Sequence, residues 1–289
     1  METVFDYYTV HNRLPHLGDD VPPWSYKGWA LPYVANIHDR VLGKAGRWSY
    51  YLSCLESENL PQTPIPRIAF GKAGHGVGAL LDGWARLVGW DMGGWSDMNR
   101  LMEWMAWSLG VIGEAPKLSD KVNEELYRQV DYAPLLKAPR DYFGQWISER
   151  KSPGWNPTAF FPTPHQVVEC MVEITFHDIK ELHQGSRLVT VCDPCVGTGR
   201  MLLHASNYSL CLYGQDIDPL VVIACKINGA IYAPWMAFPL PAEKIGRPIP
   251  QAPPAPLVGL GEAPVGLRID DVQQRLLFDE APKEKRRRR

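Results

Sequence analysis

The feature that most constrains the fold is the turn at residues 193–199, DPCVGTG, which lies between two segments of different periodicity. Residues 187–192 are a short β-branched stretch that predicts a strand, and residues 200–206 continue as a predicted helix. In a strand–turn–helix unit, glycines such as Gly197 and Gly199 let the backbone approach a ligand closely. The start of the following helix also offers unpaired backbone N–H groups. The turn therefore predicts a nucleotide-type binding site.

A second predicted strand, residues 210–216, supports this interpretation. It ends on Asp216, 23 residues after Asp193. An acid about 20 residues beyond the glycine turn is the residue type that accepts hydrogen bonds from ribose hydroxyls. Asp218 and Pro219 then give the cap and first residue of another helix. The β-α-β-α order predicts a parallel sheet with crossover helices.

The chain before this unit has a different composition. Ten of the 11 tryptophans precede residue 156. Apolar residues recur there at helical spacing, and Ser119 is placed to cap one of the helices. Residues 1–150 are therefore predicted to form a mostly helical, Trp-rich N-terminal region. The tryptophans are interpreted mainly as core residues, with stacking on single-stranded bases as the alternative.

Two further regions complete the predicted organisation. Residues 151–232 form the ligand-binding core, in which Thr163 caps and Pro164 opens a helix. Residues 233–289 are a Pro-rich segment followed by a basic C-terminal tail. The proline density up to Pro264 predicts loop rather than regular helix.

Composition and charge exclude several classes of protein. With 45% apolar and 21% charged residues, the chain is not a disordered protein. It has no apolar run long enough for a membrane span, no secretory signal pattern and too few cysteines for a disulfide scaffold, which predicts a cytoplasmic protein. The net charge is −2, but the last nine residues carry six basic groups and one acid. DNA binding is therefore expected through this tail rather than through a generally basic body.

Three segments together resemble a known family. Residues 160–174, 191–205 and 212–228 are similar, in order and spacing, to the S-adenosylmethionine-binding half of adenine-specific (N6) DNA methyltransferases. The closest likeness is to the modification subunits of type I restriction systems. The resemblance covers about residues 156–232 and implies an α/β fold, a Rossmann-like S-adenosylmethionine-dependent methyltransferase core, complete or truncated, that follows the helical region.

The resemblance also assigns cofactor-binding roles. Thr163 and Pro164 would border the methionine end of S-adenosyl-L-methionine, Asp216 would hold the ribose, and Ile217 would pack on the adenine. The residues that would form the cofactor turn are Asp193, Pro194, Cys195, Gly197 and Gly199.

The chain departs from this family at the catalytic motif. The family places Asn/Asp/Ser-Pro-Pro-aromatic after its fourth strand, where the polar residue accepts from the target amine and the aromatic stacks on the base. Nothing after Asp216 matches, and 73 residues follow it. Residues 156–158 lack the second proline. Residues 21–24, VPPW, fit a permuted arrangement but carry valine at the polar position, and a rigid turn with a packed indole is the preferred interpretation.

Two functions therefore stay open. The first is a DNA adenine-N6 methyltransferase-like protein with unassigned catalytic residues and weak or absent activity. The alternative is a non-catalytic cofactor-binding subunit that works with a partner subunit. Cys192 and Cys195 have a metal or redox spacing, but without a second such pair no metal site is predicted. The glycine-rich residues 71–78 lack the order of a phosphate-binding loop and are interpreted as a turn before a helix.

Overall fold

The computed structural model describes residues 21–43, 46–71, 74–89, 95–150, 160–177 and 187–245. Within these ranges the chain is mostly helical and contains one two-stranded parallel sheet. The helices before the sheet are α1 (Leu31–Leu42), α2 (Arg47–Glu56), α3 (Val77–Leu87), α4 (Trp95–Ser108), α5 (Asp120–Gln129), α6 (Ala133–Lys137), α7 (Tyr142–Arg150) and α8 (His165–Thr175). The remaining elements are β1 (Thr190–Asp193), α9 (Arg200–Ala205), β2 (Cys211–Gly214), α10 (Pro219–Tyr232), α11 (Pro234–Ala237) and α12 (Ala242–Ile245).

The helices before the sheet share an aromatic core. Trp48, Trp84, Trp104 and Trp146 are all buried, which confirms the core interpretation for these four residues. The predicted cap of α5 is also confirmed, because the Ser119 side chain accepts a hydrogen bond from the backbone N–H of Val122. Among the described residues, no helix combines the length and apolar character needed to cross a bilayer.

Helix α10 lies at the centre of the molecule. Every residue from Leu220 to Tyr232 is buried, as expected for a predominantly apolar helix, although the buried set includes the polar residues Lys226 and Asn228. It packs against α1, α4 and α7 from the helical region and against α9 and α11 from its own. The predicted start of this helix is confirmed, since Asp218 caps α10 and Pro219 is its first residue.

The small sheet has the predicted parallel pairing. Asp193 at the end of β1 is opposite Gly214 at the end of β2, and α9 lies between the strands in sequence.

Two predictions about helices need correction. Helix α8 begins at His165 with Pro164 in the N-cap position, so Thr163 is not the cap. The Pro-rich segment is not free of helix, because α11 and α12 each form one turn there.

A buried carboxylate connects the helical region to the turn after β1. Asp141 has no exposed surface, and its Oδ1 accepts from the Gly144 backbone N–H at 2.8 Å and from Asn228 Nδ2 at 2.9 Å. Its Oδ2 accepts from Thr198 Oγ1 at 2.6 Å and from Arg200 Nε at 3.0 Å. Five donor groups, counting Arg200 Nη2 at 3.0 Å, surround this one carboxylate and compensate its buried charge.

A buried guanidinium forms a second connection. Arg47, also without exposed surface, donates through Nε to the Pro66 carbonyl at 2.8 Å and through Nη1 to Ser206 Oγ at 2.7 Å. Its Nη2 donates to Asn207 Oδ1. Burial lowers the pKa of Arg47 to about 9. The helical region and the sheet region are thus joined by polar contacts as well as by apolar packing.

We expect Asp141→Ala to lower the free energy of unfolding by about 3–5 kcal/mol, because it leaves the buried charge of Arg200 uncompensated. Urea denaturation followed by circular dichroism measures this change. Glu149→Ala is the matched control, since Glu149 is an exposed acid of α7 and its loss should cost no more than about 0.5 kcal/mol. Equal effects of the two substitutions would contradict the role given to Asp141.

Two buried histidines make the fold sensitive to acid. His165 Nδ1 and His204 Nε2 are 3.0 Å apart, and both side chains are buried. Burial, followed by the positive charge of Arg200, lowers the pKa of each histidine below the ordinary 6.5. The unfolded chain therefore binds more protons, so stability is full above about pH 6.5 and is lost as the pH falls through the folded-state pKa values.

We accordingly expect the melting temperature to fall between about pH 6.5 and pH 4. Substituting both histidines by glutamine should flatten this dependence, even if it lowers stability at neutral pH. Differential scanning fluorimetry across this range gives both curves. Parallel curves for wild type and the double variant would show that these histidines do not cause the acid sensitivity.

Candidate cofactor site

The turn after β1 closes onto the end of β2. The Gln215 backbone N–H donates to the Asp193 carbonyl at 3.1 Å, and the Val196 N–H donates to the Gln215 carbonyl at 2.8 Å. The Gly197 N–H then donates to Asp216 Oδ2 at 2.8 Å. The two acids that the sequence singled out therefore lie at the same edge of the sheet, where both parallel strands end. This edge is where ligands bind in open α/β sheets.

Both carboxylates are oriented by backbone N–H groups. Asp193 Oδ1 accepts from Cys195 N–H at 3.1 Å, and Asp216 Oδ1 accepts from Asp218 N–H at 3.0 Å. Burial raises the pKa of Asp193, and the nearby charge of Asp216 raises it further, against the opposing effect of the Cys195 hydrogen bond. Two acids therefore interact at this edge of the sheet, which we call the crevice, and a positive ligand beside them would relieve the unfavourable charge of Asp193.

The two glycines of the turn are required for different reasons. Both have positive φ, +53° at Gly197 and +83° at Gly199, which disfavours other residues. A side chain at Gly197 would lie 2.9 Å from Phe160 Cε2, so the close approach here is to an aromatic ring of the protein. A side chain at Gly199 would meet Met236 and, at 2.7 Å, Cys225 Sγ. Gly199 therefore serves the packing of α9 against α10 and α11.

The segment before α8 lies against this turn. Besides the Phe160 contact, Arg200 Nη1 donates to the Thr163 carbonyl at 2.6 Å. Thr163 and Pro164 are exposed at the start of α8. The structure thus brings both of these predicted residues to the side of the glycine turn.

The remaining predicted residues border the same turn. Pro194 and Cys195 are exposed, and the Ile217 side chain is 80% exposed directly after Asp216. Cys192 is an exposed free thiol, as is Cys195. Within the described ranges, no three His, Cys, Asp or Glu side chains are grouped as metal ligands.

The structure describes only one of the two candidate catalytic motifs. Residues 156–158 lie outside the described residues. Residues 23–25 form a 3-10 turn, and the Trp24 ring packs on Tyr127 at 5.4 Å between centroids. The Trp24 carbonyl accepts from Trp107 Nε1 at 3.1 Å. This geometry favours the rigid turn with a packed indole over a permuted catalytic motif.

The N-6 DNA methylase family model matches residues 153–233. The predicted resemblance to adenine-N6 DNA methyltransferases is confirmed over this region, while the likeness to type I modification subunits stays a prediction. No curated protein and no solved structure significantly matches the chain.

The N-6 DNA methylase region depends on a residue that sequence reasoning missed. Asp141 precedes the matched region, yet it holds Thr198, Arg200 and Asn228 inside that region. The local sequence indicated only that Asp141 lies three residues before Gly144, which is the spacing of a helix N-cap and its partner. Asp141 does accept a hydrogen bond from the Gly144 backbone N–H. No sequence pattern indicated that Asp141 would contact residues so far away along the chain.

We expect Asp193→Asn to raise the melting temperature at neutral pH. The folded-state pKa of Asp193 lies above its unfolded value, so the stabilising contribution is present at low pH and is lost as the pH rises through the folded-state value. Asparagine keeps the Oδ1 acceptor and removes the charge. Asp216→Asn is the contrast, because it replaces one of two oxygens that accept backbone N–H groups and should lower stability by about 1–3 kcal/mol. Scanning fluorimetry that ranked the two variants in the opposite order would contradict this assignment.

Proposed function

We propose that the chain binds S-adenosyl-L-methionine in the crevice between Asp193 and Asp216 and is a DNA adenine-N6 methyltransferase-like protein. The observation that carries this proposal is the hydrogen bond from the Gly197 N–H to Asp216 Oδ2, within a region that matches the N-6 DNA methylase family. This bond joins the glycine turn to Asp216, the proposed ribose-binding acid, where two adjacent parallel strands end. The Rossmann-like methyltransferase core is the fold that this proposal implies.

The residues present fit this cofactor. S-adenosylmethionine carries positive charge on its sulfonium and ammonium groups, and the crevice contains two carboxylates with an unfavourable mutual charge. Its ribose hydroxyls are donors, and Asp216 is an acceptor held in place by backbone N–H groups. Exposed Ile217 offers an apolar surface to the adenine ring.

Each predicted residue takes a part in this proposal. Thr163 and Pro164 border the methionine end, while Pro194 and Cys195 form the exposed side of the turn. Gly197 and Gly199 set the turn conformation. When bound, the cofactor supplies an activated methyl group, and the chain's own residues orient it and stabilise its charge.

DNA is the substrate class that the family match favours, with adenine as the methylated base. The residue that accepts from the adenine amine is not assigned. A partner subunit would supply it if the chain lacks one. The basic tail, which lies outside the described residues, is proposed to contact phosphates.

Titration calorimetry with S-adenosylhomocysteine tests the cofactor site. We expect micromolar binding by the wild type, and Asp216→Ala should weaken it by about 1.5–3 kcal/mol, the usual contribution of hydrogen bonds to a charged group. Asp131→Ala is a control, because Asp131 is an acid that contacts Tyr33 and the start of α6 rather than the turn. The absence of any binding heat with the wild type would reject the proposed function.

A second measurement tests methyl transfer. We expect the isolated chain to incorporate little or no tritiated methyl group into unmethylated DNA, because the residues after Asp216 include no Asn/Asp/Ser-Pro-Pro-aromatic motif to accept from the adenine amine. Nucleoside mass spectrometry identifies any product. Efficient formation of N6-methyladenine by this chain alone would show that it contains a functional catalytic motif.

A further inference from the structure

Helix α8 presents apolar side chains to solvent as well as to the protein. Val168 and Val172 are buried on the side where α8 packs against α9. The other side carries an exposed stripe, which at Ile174 is 71% exposed and whose members are Val167, Cys170, Met171 and Ile174. These residues are spaced i, i+3, i+4 and i+7, so they share one face of the helix. A helix that is apolar on two sides is typically buried on both, which indicates a surface that another segment covers.

The charge beside this stripe is negative. Helix α8 contains two acids, Glu169 and Glu173, and no lysine or arginine. Glu173 directly precedes Ile174 of the stripe, and its carboxylate accepts a hydrogen bond from Tyr208 Oη, which holds it at that side of the helix. A partner with basic residues next to its apolar ones would therefore fit this surface better than an acidic one.

A segment of this chain has the matching pattern. Ile269, Val272 and Leu276 recur at i, i+3 and i+7, which is also a spacing within the α8 stripe. Arg275 directly precedes the last of them, as Glu173 precedes the last residue of the stripe, so the two patterns carry opposite charges at equivalent positions. The two aspartates of the segment fall on other faces of its pattern. This segment lies outside the part of the chain that the structure describes.

The length of the chain allows the two patterns to meet. The described part of the chain ends at Ile245, and residues 246–268 separate it from Ile269. A stretch of 23 residues can span up to about 70 Å, whereas a folded protein of this size is about 45 Å across. Because both patterns belong to one chain, their effective concentration can reach about millimolar, so a contact of modest affinity suffices.

We propose that residues 267–278 of this chain cover the α8 stripe by docking on it as an amphipathic helix. The apolar residues of the segment would pack over Cys170 and its neighbours, and Arg275 would lie beside Glu173. Helix α8 begins directly after Pro164 at the side of the crevice, so this docking would also keep the basic tail on the same side of the molecule as the crevice. The proposal does not depend on cofactor binding.

Disulfide trapping in the full-length chain tests this contact. Cys170 is an exposed free thiol within the stripe, so under mild oxidation it should pair with the new thiol of Val272→Cys. Gln274→Cys is the matched control, because residue 274 lies away from the apolar face of the predicted helix. We expect the Cys170 disulfide to form about tenfold faster in Val272→Cys than in Gln274→Cys, a preference of about 1.4 kcal/mol. Peptide mass spectrometry without reduction separates this disulfide from those of Cys192 and Cys195.

A substitution on α8 provides the second arm of the test. Ile174→Asp places a charge in the stripe and should slow trapping in Val272→Cys to the rate of the control, while the melting temperature stays unchanged because Ile174 is exposed. Equal trapping in Val272→Cys and Gln274→Cys, or none in either, would overturn the proposal, as would trapping that Ile174→Asp does not slow. A disulfide between two chains, seen as a dimer on a non-reducing gel and slowed by dilution, would also overturn it and assign the stripe to a second copy. None of these readouts involves S-adenosylhomocysteine, so their failure is distinguishable from failure of the proposed function.

Discussion

The arrangement of the candidate site depends on the buried carboxylate of Asp141. Its two oxygens accept from Thr198 and Arg200 next to the glycine turn and from Asn228 on the central helix. A buried charge is tolerated only when its hydrogen-bonding capacity is satisfied, so these donors must occupy fixed positions. Arg200 in turn donates to the Thr163 carbonyl, which extends the constraint to the segment before α8. One carboxylate thus positions both sides of the crevice.

The helical region has a direct structural role in this arrangement. It surrounds α10 with α1, α4 and α7 and contributes both buried charged residues, Asp141 and Arg47, that bind the sheet region. A two-stranded sheet is too small to form an independent core. The N-6 DNA methylase region is therefore stabilised by elements that lie outside the family match.

The crevice itself contains an unfavourable charge arrangement. Burial and the nearby Asp216 raise the pKa of Asp193, so the fold would be more stable at neutral pH without that charge. Ligand-binding sites commonly retain such groups because the ligand compensates them. Exposed Phe161 and Ile217 are unfavourable to the free protein in the same way. A ligand with positive charge and an apolar surface would compensate both features.

The sequence by itself determined the parallel β-α-β unit, the glycine turn and the position of Asp193 and Asp216 at the same edge of the sheet. These follow from local rules: strand and helix periodicity, and glycines where φ is positive. The start of α8 was predicted one residue too early, and the short helices of the Pro-rich segment were missed, since single-turn helices depend on packing rather than on periodicity. The contacts of Asp141, 57 residues from Thr198 and 87 from Asn228, and the contact of Phe160 with Gly197 were decided only by the tertiary structure, because no local pattern specifies which distant side chains meet in a shared core.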